Sequence, residues 1–117
     1  MESIEKNKPK ELLYEIALSR INGVGSVNYK NLINYFGSAE NVIRSPKSKI
    51  MKVSGIGQIA LKGISQAGEM VDEAHKIIAD CNKNNIAILS LNSSDYPFSL
   101  KNTFDSPPVL YLKGSGS

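Results

Sequence analysis

The sequence predicts a mainly α-helical protein, a small helical domain followed by a short α/β segment. Three observations carry this expectation. A Gly-x-Gly element occurs twice, as "INGVG" from Ile21 and as "VSGIG" from Val53. Apolar residues recur at helical spacing through the first 85 positions. At Ile86 the character changes, because "IAILSL" is a short continuous apolar run bounded by turn formers, which reads as a buried strand.

The elements follow in order. Pro9 suits a first helical position, and Leu12, Leu13, Ile16 and Ala17 continue at helical spacing into the first glycine turn. Beyond that turn, Val27, Leu32, Ile33 and Phe36 form one face of a second helix, which Gly37 closes in a left-handed cap. Ser38 and the pair Ser45-Pro46 each open a further short helix. Ala67, Met70, Val71, Ala74, Ile77, Ile78 and Cys81 make the longest regular stripe, which stops at the polar "NKNN" of 82–85. After the first strand, "SSDYPFSL" supplies a turn and a helical turn, "DSPP" breaks the chain, and "VLYLKG" from Val109 reads as a second strand. Two strands are marginal by themselves. A sheet therefore begins at Ile86 without being completed, and the closing "SGS" of 115–117 has the composition of a linker or an appended end.

The two glycine elements form a repeat. A shift of 32 aligns Ile21 with Val53, Gly23 with Gly55, Val24 with Ile56, Gly25 with Gly57 and Leu32 with Ile64. Gly25 and Gly57 are accordingly expected in equivalent turns that disfavour any Cβ. A glycine turn that opens a helix leaves backbone N–H groups unpaired at the positive end of the helix dipole, where phosphate binds well. This is the pattern of a helix-hairpin-helix pair, which grips nucleic-acid backbone without reading bases. The candidate contact residues are Gly23, Val24, Gly25, Ser26 and Lys30 in the first copy and Gly55, Ile56, Gly57, Gln58 and Lys62 in the second. A purely structural reading stands beside this one: the glycines only allow two helices to turn and approach, and Val27 and Ile59 occupy the position where such hairpins often carry a basic residue. A dinucleotide loop is excluded, since the third glycine is replaced by Asn28 and Ala60 and no strand precedes either copy.

Composition sets the outer limits. A chain of 117 residues with 41% hydrophobic residues has enough apolar material for one packed domain. Fourteen Lys and Arg against eleven Asp and Glu give +3, with loose lysine clusters at 6–10 and 47–52, so a polyanion partner is permitted rather than required. No apolar run approaches membrane-spanning length and no signal-peptide core opens the chain, so a cytoplasmic, non-membrane protein is expected. Cys81 is the single cysteine and lies on an apolar helical stripe, which points to burial rather than reactivity.

Enzymatic constellations are not expected. His75 has no second His or Cys at ligand spacing, and the adjacent Asp72 and Glu73 point about 100° apart on a helix. No nucleophile elbow or phosphate loop with its lysine is present, and no metal or cofactor is called for.

From Leu12 to Gly114 the ordered motifs resemble the DprA/Smf family, bacterial DNA-processing proteins of natural transformation and recombination. The resemblance rests on "INGVG", "LINYFGSAENVI", "VSGIG", "AILSLNSSDYPFSL" and "DSPPVLYLKG" in that order. It implies a SAM-like helical domain over 1–85 and the start of a Rossmann-like domain over 86–114, the remainder of which this sequence does not include. It further implies that the longer protein binds single-stranded DNA, loads the RecA recombinase on it, self-associates through the absent domain and has no catalytic turnover. Tyr96, Pro97, Pro107, Pro108 and Gly114 match the family as a turn and strand framework. Two functional classes follow: an accessory DNA-contact module, or a protein-interaction module without DNA contact of its own.

Overall fold

The computed structural model describes residues 2–91, 93–101 and 105–113, with side chains from residue 10 onward. It is mainly helical. Four helices precede the second glycine turn: α1 (Glu2–Ser19), α2 (Gly25–Phe36), α3 (Ala39–Arg44) and α4 (Lys47–Ile50). Then come α5 (Gln58–Ser65), α6 (Gly68–Lys83), β1 (Ile86–Ser90), α7 (Phe98–Lys101) and β2 (Val109–Lys113). Gly114 and 115–117 lie outside the described residues.

Local chemistry explains the boundaries. Gly37 takes φ 95° and its N–H donates to the Ile33 carbonyl at 2.7 Å, the left-handed cap expected from sequence. Ser38 is extended and its Oγ accepts from the Asn41 N–H at 3.1 Å, which starts α3. The α3 N-terminus gains a second anchor from α1, because the Glu11 carboxylate accepts from the backbone N–H groups of Ala39 and Glu40 at 2.7 and 3.2 Å. One expectation fails at the start of the chain. Helix α1 runs through Pro9 instead of beginning there.

The larger apolar cluster joins α1, both glycine turns and the helices after them. Leu18, Val24, Leu32, Ala39, Val42 and Ile50 of α4 are almost wholly buried, and Ala60 and Ile64 close the cluster from the second copy. Fully burying one such leucine or valine contributes roughly 1.5–3 kcal/mol. A smaller cluster gathers Leu13, Ile16 and Ala17 of α1, Ala74 of α6 and Val109 of β2, with Ile77, Ile78 and Ile88 packed against it.

The sheet is a two-stranded antiparallel pair, with Ile86 opposite Lys113 and Ser90 opposite Val109. The expected buried strand is half-buried: Ser90 alone in β1 is buried, while Ile86, Ile88 and Leu89 are intermediate and Ala87 is exposed. One neighbouring strand and one helical layer cover only part of it. Tyr96 fastens the connection between the strands. Its ring is buried and its hydroxyl donates to the Pro107 carbonyl at 2.6 Å.

Candidate nucleic-acid interface

The two glycine turns face one another. Gly23 has φ 88° and Gly55 has φ 89°, the left-handed conformation that a Cβ disfavours. A Cβ on Gly23 would stand 2.9 Å from the Ala60 amide nitrogen, and one on Gly55 would stand 3.2 Å from Asn28 Oδ1. Under the shift of 32 that aligns Gly23 with Gly55, Asn28 aligns with Ala60. Each turn therefore packs against the same position of the other helix, the reciprocal contact of a local pseudo-two-fold. Asn28 also donates from Nδ2 to the Gly23 carbonyl at 3.2 Å, so the side chain that lies against Gly55 braces the first turn.

Equivalence ends at the second glycine of each copy. Gly25 keeps a positive φ of 63°, but Gly57 lies at φ −90° and ψ −179°, an extended conformation open to any residue. The expectation that Gly25 and Gly57 sit in equivalent strained turns is corrected accordingly. Gly25 is the first residue of α2 whereas Gly57 caps α5 from outside, so the helix begins one residue later in the second copy.

Of the other candidate residues, Val24 is buried and Ile56 is packed against the larger cluster, where both plug the core. Ser26 is half-buried in the first turn of α2, and Gln58 is exposed at the first position of α5. Lys30 is half-buried on α2 and Lys62 is exposed on α5. Neither α2 nor α5 has a side-chain cap on its N-terminus or an acid in its first turn. Helix α3 is the internal contrast, because its N-terminus already holds the Glu11 carboxylate. The dipole ends of α2 and α5 are thus unscreened by any acid of their own first turns.

The fold brings Lys47 of α4 beside Gln58, Ile59 and Lys62 of α5, where they line an open cleft of about 390 Å³. The sequence places Lys47 and Lys62 fifteen positions apart. Among the described residues, no carboxylate pairs with Lys47, Lys49, Lys52 or Lys62. The charge is segregated as well. Positions 21–68 carry six Lys and Arg against the single acid Glu40, a net +5 that leaves −2 for the rest of the chain. That asymmetry, together with Asn28 and Lys47, is the signal that motif spacing alone misses.

Elsewhere the chemistry is sparse. Among the described residues, no group of three or more His, Cys, Asp or Glu side chains is placed to hold a metal ion, and His75 is exposed on α6. Cys81 is buried, and burial raises its thiol above the usual range, with a smaller contribution from Asp80. No described helix is long and apolar enough to cross a membrane. No protein-family model, curated protein or solved structure matches this chain.

Proposed function

We propose that this chain is a nucleic-acid contact module that grips the phosphate backbone through its two glycine turns, as the accessory part of a DNA-processing protein of the DprA/Smf type. The observation that carries this reading is the reciprocal packing of the turns, which sets the uncapped starts of α2 and α5 beside each other. The net +5 of positions 21–68 supports it. In the same reading, strong single-stranded DNA binding, RecA loading and self-association belong to the Rossmann-like domain of a longer cytoplasmic protein, and the module itself turns over no substrate and needs no cofactor.

A second reading has its own observation. Val27 and Ile59 occupy equivalent positions in the two copies and are 38% and 67% exposed, an apolar pair suited to docking a protein. Fluorescent single-stranded and duplex DNA titrated against the chain over a range of salt separates the two. About two to four phosphate contacts at the glycine turns contribute roughly −1.4 to −2.8 to the log–log salt slope on single strands, with little base preference and poor affinity near physiological salt. An absence of binding even at low salt would leave protein docking as the function. Nanomolar binding at physiological salt would contradict the accessory role.

A further inference from the structure

A second cleft, of about 550 Å³, lies at the other end of α2, between Tyr35 and Phe36, the end of α3 and helix α4. Twelve residues of helix put it about 18 Å from the glycine turn at Gly25. Its lining combines aromatic rings with cations and contains no carboxylate: Arg44, Lys49 and Lys52 share it with Tyr35 and Phe36.

The cleft is built from fixed parts. The Asn41 amide donates to the Phe36 carbonyl at 2.9 Å and so ties the last turn of α2 to α3. Tyr35 is 56% exposed, and its ring rests on Phe36 with centroids 4.9 Å apart and planes tilted by 58°. Arg44 is held on one side by Glu40 Oε2 at 2.9 Å and on the other by the Tyr14 hydroxyl at 3.4 Å, with its guanidinium 5.9 Å from the Tyr14 ring centre. Glu40 offsets much of the Arg44 charge, so the uncompensated positive charge of the cleft comes from Lys49 and Lys52. Both are exposed, and neither pairs with a described acid.

We propose that this cleft is a binding site for single-stranded nucleic acid, in which Tyr35 stacks on an unpaired base while Lys49 and Lys52 take the flanking phosphates. A half-exposed aromatic face backed by a second ring and flanked by cations is the combination that binds single strands with little sequence preference. A duplex satisfies only the lysines, because its bases are already stacked on both faces. This site adds to the phosphate contact proposed for the glycine turns, and it gives the module a preference for single strands that backbone contact alone does not supply.

The test is fluorescence anisotropy of the whole chain with labelled oligothymidylate, oligouridylate and duplex DNA. Tyr35→Ala is expected to weaken single-strand binding by about five- to a hundredfold and to leave duplex binding unchanged, while Tyr35→Phe keeps the parent affinity. Lys49→Ala and Lys52→Ala should each flatten the single-strand salt slope by about 0.7. The oligothymidylate and oligouridylate arms show whether the strand taken is DNA or RNA. Unchanged oligonucleotide binding by a Tyr35→Ala chain with parental circular dichroism would overturn the site while leaving the glycine turns in place. An equal loss on duplex and single strand would also overturn it. No binding of any nucleic acid by the parent would overturn both proposals.

Discussion

Gly23 lies so close to Ala60 that a Cβ on the glycine would stand 2.9 Å from the backbone nitrogen and 3.2 Å from the Cα of its neighbour. Gly55 stands in the same relation to Asn28, but there the obstacle is the end of a side chain that can move. The two copies of the repeat are thus joined by one contact used twice. It is unyielding in one direction and compliant in the other.

The first prediction follows from this asymmetry. Gly23→Ala must place a Cβ both at φ 88° and against the Ala60 backbone, and is expected to destabilise by about 2–3 kcal/mol. Gly55→Ala retains the backbone strain but meets only the Asn28 amide, so about 1 kcal/mol is expected. Gly57→Ala sits in open space with an extended backbone and should be neutral, or stabilising by about 0.4–1 kcal/mol. Thermal melting of the three variants gives the order, and equal losses at Gly23 and Gly57 would contradict the reciprocal packing.

How much of this was legible in the sequence depends on the range over which each feature is encoded. Helix α6 could be read directly because its apolar stripe repeats at helical spacing within the segment itself, and the left-handed Gly37 cap was equally local. The difference between Gly25 and Gly57 was not legible, since a Gly-x-Gly string names residues that tolerate a positive φ, not those that adopt it. The start of α1 was not legible, since a proline marks a position that suits a first helical turn, not one where a helix must begin. Among the candidate site residues, the uncapped starts of α2 and α5 followed from the motif. The clefts did not, because Lys47 meets Lys62, and Tyr35 meets Lys49 and Lys52, only through the packing of α4. The lysine cluster at 47–52 and the absence of any acid from 41 to 68 were the traces of those clefts in the sequence.

The connection between the strands supplies a second prediction. Tyr96 is 4% exposed and its hydroxyl donates to the Pro107 carbonyl, a bond that Tyr96→Phe deletes without changing the ring. The expected cost is about 0.5–1.5 kcal/mol, read as a lower denaturation midpoint with unchanged slope. A variant as stable as the parent would mean that the hydroxyl bond adds nothing beyond burial of the ring.

The sheet also bears on the helices. Val109 of β2 is buried with Leu13, Ile16, Ala17 and Ala74, so Val109→Ala should cost about 1–2 kcal/mol even though it lies on an edge strand. A chain ending at Asn85 should remain folded, because the larger cluster is built wholly from residues before that point. It should nonetheless melt at a lower temperature than the full chain, since Leu13 and Ala74 lose their cover. Calorimetry distinguishes the outcomes. Loss of a cooperative transition in the shortened chain would show that the strands complete the helical core instead of covering one side of it.

The last prediction concerns Tyr29, buried in α2 with its hydroxyl lacking a hydrogen-bond partner among the described residues. Burial raises the pKa of this phenol far above the ordinary tyrosine range, and the negative charges of Glu15 and Glu11 raise it further. A buried hydroxyl without a partner contributes its desolvation cost and no compensating bond, so Tyr29→Phe is expected to stabilise the fold by up to about 1 kcal/mol at neutral pH. The sign at alkaline pH follows from linkage. The native state holds this proton more tightly than the unfolded chain does, so the folded state's advantage is complete below the unfolded tyrosine value of about 10 and is lost as pH rises above it. Phenylalanine has no proton to lose. Stability curves of parent and variant should therefore run parallel up to about pH 9 and diverge above it, with the variant holding its stability further into the alkaline range. A destabilised Tyr29→Phe at neutral pH would show that the hydroxyl is satisfied in solution, and a parallel fall above pH 10 would place the alkaline transition on other groups.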